Sequence, residues 1–321
     1  MQSRAEGVFV LGSRHVPYLE MWPQKLKYTW LASLALPIFV AWAGVISIAK
    51  GVRQSEAGMV IGFTAFLMLV TVASVFAIRS AGFRSVSLSR RVLSLNADHR
   101  VGIRIPKRRD DALLAILFTC GAVTGLTTAS TWYFGLGETL LPTSRDTSGG
   151  ANYMAIAGIV SLLLALLSLA IQENAVLNLA PSGIQYLVRR RRFFRTKNIE
   201  TFVEWDRVEK ITPDTQIVTT GASQIHNPLI NICASPTTDS YTDSGTDEET
   251  VIRVYQLVSE PNTLFSLMQY MKDHPEEREL LAQPESLKLL TPPPLRARFR
   301  SARKSKSSVS SSSGTAAPPN A

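Results

Sequence analysis

Tyr28–Ala49 reads YTWLASLALPIFVAWAGVISIA, with no Asp, Glu, Lys, Arg or His anywhere along it. Three more stretches repeat the pattern: Met59–Ile78 (MVIGFTAFLMLVTVASVFAI), Ala112–Phe134 (ALLAILFTCGAVTGLTTASTWYF) and Tyr153–Ile171 (YMAIAGIVSLLLALLSLAI). Each is about as long as the roughly 20 helical residues that cross a hydrocarbon core of roughly 30 Å. The four predict a multi-pass membrane protein with an α-helical bundle of four transmembrane spans. They also restrict its chemistry, because a span without ionisable groups offers no proton relay, ion site or buried catalytic acid.

Outside the spans, whole-chain averages conceal two kinds of chain. The 321 residues carry 18% charged side chains, a net charge of +9 and a mean hydropathy of +0.10, values near those of a soluble protein. Residues up to about 172 are mostly membrane; the rest is polar with ordinary charge. Cys120 lies in the third run and Cys233 in the polar part, neither with a CxxC partner or a nearby His. That pattern gives no metal or redox site and fits a reducing compartment around Cys233. A cleaved signal peptide is not expected, since the first run is long enough to span and lacks a small-residue cleavage site.

The flanks of the spans set an orientation. Arg4, Arg14, Lys25 and Lys27 precede span one, and only Lys50 and Arg53 lie between spans one and two. Arg79, Arg84, Arg90, Arg91, Arg100, Arg104, Lys107, Arg108 and Arg109 crowd the loop 79–111, Arg145 stands alone before span four, and Arg189–Arg192 follow it. The alternation predicts a cell (inner) membrane protein with both termini cytoplasmic and the loops 50–58 and 135–152 outside. Gly58/Gly62 and Gly121/Gly125 form GxxxG pairs, and Ala157, Ser161, Ala165 and Ser168 recur at helical spacing, which predicts close helix packing. The hydroxyls of Thr127, Thr128, Ser130 and Thr131 could bond across helices or line a path. Pro37 could kink span one, and Trp22, Trp30, Trp132 and Tyr133 read as interfacial anchors.

The loop 79–111 carries VSLSRRVLSL at Val86–Leu95, which predicts one or two short strands around a turn. From Leu179 onward, short strand-like pieces follow: Gly183–Val188, Phe193–Phe194, Thr201–Trp205, Val208–Ile211, Gln216–Thr220, Pro228–Cys233 and Thr250–Val258. Then the period turns helical at PNTLFSLMQYMKD, Pro261–Asp273, with Leu264, Leu267, Met268 and Met271 on one face and Pro261 suited to the first turn. His274-Pro275 ends that helix, and Glu276–Leu281 starts another. Six or seven strands with one amphipathic helix predict a small barrel or sandwich with a helical plug.

Pro181-Ser182-Gly183-Ile184, an arginine-rich stretch, and FVEWDRVEKI at Phe202–Ile211 together resemble the opening of bacterial PH-like domains. Pro261-Asn262-Thr263-Leu264 and Asp273-His274-Pro275-Glu276-Glu277-Arg278 resemble the C-terminal end of such domains in actinobacterial membrane proteins. The resemblance covers 179–282. It implies a mainly-β, partly open PH-like barrel capped by a C-terminal helix, used for lipid or protein contact, with no catalytic residue to carry over.

Arg189, Arg190, Arg191, Arg192, Arg195 and Lys197 fall where such a hairpin would lie close to the membrane. Guanidinium forks suit phosphate, so these six are candidate lipid-phosphate contacts; the alternative is that they serve topology alone. The bases of loop 79–111 carry the same two readings. Asp239, Asp243, Asp247, Glu248 and Glu249 form an acidic insertion that fails the calcium-loop template and reads as a solvated loop. After Pro292-Pro293-Pro294, the bases Arg296, Arg298, Arg300, Arg303, Lys304 and Lys306 precede a serine run. A tail 291–321 of this composition is expected to be disordered, its bases holding it to anionic lipid or to an acidic partner.

His15, His99, His226 and His274 show no ligand spacing, and no G-x-S-x-G, H-E-x-x-H or P-loop occurs. No catalytic residue, metal site or cofactor is expected. No nucleic-acid motif accompanies the charge. The function expected is therefore that of a membrane scaffold or adaptor, presenting a cytoplasmic PH-like domain to anionic membrane lipid and to an unidentified protein partner, with self-association left open. The alternatives are an accessory subunit of a transporter or channel, or a membrane enzyme built on the loop 135–152.

Overall fold

The structure is a computed structural model that describes residues 7–11, 14–97, 100–135, 141, 145–193, 195–220, 223–235 and 248–312. The acidic insertion, apart from Glu248 and Glu249, and most of the loop 135–147 lie outside these residues. Four helical stretches are long and apolar enough to cross a membrane: Tyr28–Gln54, Ala57–Ser80, Asp110–Phe134 and Ser148–Ala170.

The first stretch is two helices, α1 (Tyr28–Ala32) and α2 (Ala35–Gln54). Pro37 explains the interruption, because its ring has no N–H for the Ser33 carbonyl and crowds it. The others are α3 (Ala57–Ser80), α4 (Asp110–Phe134) and α5 (Ser148–Ala170). They pack in chain order, α2 on α3, α3 on α4 and α4 on α5. The two outer spans are the barest, with 6% and 11% of their apolar windows buried against 28% and 33% for the inner two. The result is nearer to a row of helices than to the compact bundle expected.

The tightest crossing is α4 on α5. A Cβ on Gly125 would stand 2.7 Å from the Met154 carbonyl oxygen, and one on Gly158 would stand 2.9 Å from the Leu126 nitrogen. The hydroxyls of span three turn inward on their own helix: Thr124 donates to Cys120 O, Thr128 to Thr124 O and Thr131 to Thr128 O, at 2.8–2.9 Å. Thr128 and Thr131 are buried. The donor hydrogens of these two are used within the helix.

Among the described residues there are ten strands, most of them around an apolar core. β1 (Gly7–Leu11) and β2 (Arg14–Tyr18) form an N-terminal hairpin. β3 (Leu93–Ala97) and β4 (Arg100–Pro106) come from the loop between spans two and three. Then come β5 (Ile171–Ala180), β6 (Gly183–Arg192), β7 (Arg195–Glu204), β8 (Val208–Thr220), β9 (Ser223–Ala234) and β10 (Glu248–Ile252). One antiparallel sheet runs β3-β4-β5-β6-β7 and a second runs β10-β9-β8. Within Val86–Leu95 a turn falls at Arg90 and Arg91, with the Val92 N–H donating to Ser89 O at 3.0 Å, and the strand that follows it from Leu93 pairs with β4.

The pairing of β4 with β5 sets Ile103 opposite Leu179 and Ile105 opposite Leu177, all four fully buried. Burying each such side chain contributes about 1.5–3 kcal/mol. Helix α6 (Pro261–Asp273) adds Leu264, Leu267, Met268 and Met271 to the core that both sheets share. Glu260 caps it, accepting from the Thr263 N–H at 2.6 Å, with Pro261 in the first turn. Trp205 is core, its indole N–H donating to Ala180 O at 2.7 Å.

The sheets do not close into a barrel. At one corner a single bridge joins Lys107 to Leu257, with Val258 N–H donating to Pro106 O at 3.1 Å. At the other, β7 and β8 follow one another through the turn Trp205–Arg207 without pairing. The expected barrel is therefore an open two-sheet arrangement with a helix packed on its core. It also begins earlier than residue 179, because β5 takes over from α5 with no loop.

Candidate membrane-facing site

The site begins where span four ends. Ala170 is the last residue of α5 and Ile171 the first of β5, so the strand leaves the bilayer as a direct extension of the helix. β6 returns alongside, placing Arg192 opposite Ile171, Arg190 opposite Glu173 and Arg189 opposite Asn174. The tip of the β6–β7 hairpin is tied to the span itself, with Phe193 N–H donating to Ala170 O at 2.8 Å. Phe193 adopts φ 52° and is 56% exposed. A left-handed aromatic residue is costly where Gly or Asn would serve the turn, which points to a use for the exposed ring. Phe194 lies outside the described residues.

Strand alternation divides the candidate bases between two faces. Arg190, Arg192, Arg195 and Lys197 share the face of Tyr186 and Val188, while Arg189 and Arg191 lie on the opposite face. All but Arg190 are exposed. Arg190 Nε lies 3.5 Å from Glu173 Oε1, and Arg253 Nη1 reaches the same oxygen at 3.2 Å. Glu173 thus holds two guanidinium groups at the point where the chain leaves α5. The Glu173 carbonyl also accepts from Lys107 Nζ at 2.6 Å, and that ammonium pairs with Asp111 in the first turn of α4. Asp110 beside it pairs with Arg79 of α3. Acids in the first helical turn are favoured by the helix dipole.

Between the sheets at this end lies a cleft of about 660 Å³. Tyr186, Val188, Ile199, Leu229 and Val251 supply apolar wall, and Glu173, Arg190, Arg253, Asp214 and Glu249 its charge. Burial pushes the Tyr186 phenol above its ordinary range, so it lines the cleft as a neutral group.

The N-terminal segment docks on the same unit. Leu19 N–H donates to Ser266 Oγ, and the Met21 and Trp22 N–H groups donate to Asn262 Oδ1 at 2.8–2.9 Å. Trp22 stacks edge-on against Phe265, and its indole N–H reaches Asp214 O and Thr215 Oγ1. It belongs to the folded domain rather than to a ring of interfacial anchors.

The tail also departs from expectation. Residues 295–312 form helix α7 (Leu295–Ser312) instead of a disordered chain. Arg298 is 1% exposed and donates to Gln24 Oε1 at 2.7 Å and Ser85 O at 2.9 Å. Phe299 meets Phe83 edge-on, and Arg303 donates to the Tyr28 hydroxyl at 2.9 Å. Arg298 is therefore an internal tie and not a membrane contact, while Arg296, Arg300 and Arg303 remain exposed. The side chains of Lys304 and Lys306 lie outside the described residues.

Sequence reasoning missed Glu173 as an organiser, Arg253 as its second partner, and Phe193 as a tip residue. A signal for Phe193 was present: an aromatic pair set between arginines just beyond a span fits the headgroup level. No family model, no curated protein and no solved structure matches the chain, so the PH-like resemblance rests on the residues quoted above.

Proposed function

We propose that this protein is a four-span membrane adaptor that holds a PH-like domain against the cytoplasmic leaflet, where Arg189, Arg191, Arg192, Arg195 and Lys197 meet anionic lipid. The observation that carries the reading is the bond from Phe193 N–H to Ala170 O, which ties the basic hairpin to the end of span four. Bases at that level meet phosphates without any search, and each is worth on the order of 1 kcal/mol beside an anionic surface. Two antiparallel sheets, of five and three strands, with β5 to β10 pairing in chain order within each and an amphipathic helix after them, support the PH-like assignment. The density of bases on this side of the spans supports a cytoplasmic placement.

A protein partner is the second half of the proposal. The low burial of the outer spans leaves apolar flanks at both ends of the row, which suits lateral association with another membrane protein, including a transporter or channel.

The full chain is the material for the test, since a fragment from 179 would lack β3, β4 and most of β5. Native mass spectrometry with equimolar phosphatidylglycerol and phosphatidylcholine should show preferential retention of the anionic lipid. R189Q/R191Q/R192Q/R195Q should reduce that retention about tenfold or more. Equal retention of both lipids by the unaltered chain, or an unchanged preference in the variant, overturns the lipid reading.

A further inference from the structure

The wall of the cleft beside span four changes character along its length. In the register of β5, β6 and β7, Glu173 stands with Arg190, then Ala175 with Val188 and Ile199, then Leu177 with Tyr186 and Thr201. Charge lies at the membrane end. From Arg190 to Tyr186 the strand advances about 13 Å, and its side chains there turn apolar. Tyr186 and Val188 are buried, each 7% exposed, while Ile199 and Val251, on opposite sheets, are 37% and 42% exposed. Leu229 adds to this wall from β9.

At the membrane end two guanidinium groups share one carboxylate oxygen, Arg190 Nε at 3.5 Å and Arg253 Nη1 at 3.2 Å from Glu173 Oε1. Both arginines stay protonated, so the trio holds one positive charge in excess. Arg190 Nε is buried without a hydrogen bond. The other acids of the cleft do not complete the set. Asp214 is exposed, with its Oδ1 accepting from the Thr215 N–H at 2.7 Å, and Glu249 is exposed and stands four residues before Arg253. Glu173 itself lies two residues after Ile171, where α5 passes into β5. At about 3.3 Å per residue, the charged mouth is about 7 Å from the end of span four, at the level of lipid headgroups.

We infer that this cleft takes up one acyl chain of an anionic phospholipid from the membrane that the protein spans, with the lipid phosphate held by Arg190 and Arg253. Guanidinium forks match phosphate, and the lipid phosphate supplies the charge that Glu173 alone does not. A soluble anion would fill the mouth and leave the apolar wall wet. An acyl chain covers Ile199, Leu229 and Val251 and meets Tyr186 and Val188 beyond them. The volume of about 660 Å³ falls within the roughly 300–1,000 Å³ of small-molecule sites. The headgroup keeps its ordinary depth while one chain turns up into the domain. This inference rests on the proposed placement of the domain at the cytoplasmic leaflet, but on none of the five bases named there. Those meet the surface as a whole; the cleft holds a single lipid.

The test uses the full chain in phosphatidylcholine nanodiscs that hold a little phosphatidylglycerol with a diazirine at the end of one acyl chain. In an ordinary bilayer pose that end lies at the membrane centre and tags the spans alone. A chain in the cleft tags Tyr186, Ile199, Leu229 or Val251, and peptide mass spectrometry gives the ratio of domain tags to span tags. I199W and V251W, which fill the cleft from its exposed sides, should each cut the ratio about tenfold or more, as several methylenes lose their wall. R190Q/R253Q should lower it about as far. R189Q/R191Q/R192Q/R195Q should leave it unchanged, because enrichment at the surface raises both tags alike, so the two proposals fail separately. Tags confined to the spans overturn the inference, as do domain tags that survive both tryptophan variants. A phosphatidylcholine probe that gives the same ratio overturns the role of the guanidinium pair. A free fatty-acid probe that tags the cleft where the phosphatidylglycerol probe does not overturns the phospholipid as occupant.

Discussion

Arg298 is one of six bases in a stretch whose composition suggests lipid contact, yet its guanidinium is held by two separated parts of the chain. It ties α7 to Gln24 of the N-terminal segment and to Ser85 after span two. Removing it leaves part-buried acceptors without donors, at up to about 1–3 kcal/mol each. R298A should free α7, seen as faster hydrogen exchange over 295–303 and earlier proteolysis in that helix. R298K should restore little, because an ammonium cannot reproduce a planar fork; R300A, at an exposed position, should change nothing. Neither the burial of Arg298 nor the partition of Arg189–Arg192 between two faces is legible in the sequence. Both depend on what packs over the residue, and a run of identical residues carries no phase.

The elements were legible where the signal is local. Helix α6 has the bounds that its 3.6-residue period and Pro261 predict, and the four spans fall within a few residues of their apolar runs. β5 was hidden because its first residue also fits the apolar run of span four. The β4–β5 pairing was hidden because two spans separate the partners, and short apolar runs do not name their neighbours. Small residues in spans three and four marked a close approach but not its contact point. The structure places that point at Gly125 and Gly158, and α5 leads straight into β5, so this crossing also fixes the seat of the domain. G125A, whose Cβ would meet backbone at 2.7–2.9 Å, should lower the melting temperature in detergent by several degrees. G121A, whose Cβ would come no nearer than 3.3 Å to any neighbour, the Ser161 side chain, should lower it less. Equal shifts would place the crossing elsewhere.

At the scale of the whole molecule, three segments separated by membrane spans build one domain. The N-terminal segment docks on α6, the loop between spans two and three supplies β3 and β4, and the chain after span four supplies the rest. All three therefore lie on the same side of the spans, and the loops around Glu56 and Arg145 lie on the other. Apolar runs and charge alternation predicted that arrangement of sides, but they gave no hint that the loop strands would join the later sheet. This shared construction sets the basic hairpin and the cleft beside the end of span four, and the proposed lipid contact depends on it. The direct measurement is oxidative crosslinking in native membranes of R104C/N178C, a cross-strand pair of β4 and β5, in a background without Cys120 and Cys233. Neighbouring strands lie about 4.8 Å apart, within disulfide reach. Cleavage at a protease site inserted after Arg145 should then leave the two halves joined until a reductant is added, while R104C/T201C, two strands further off, should release them at once. Separation of the R104C/N178C halves under oxidising conditions would contradict the composite sheet.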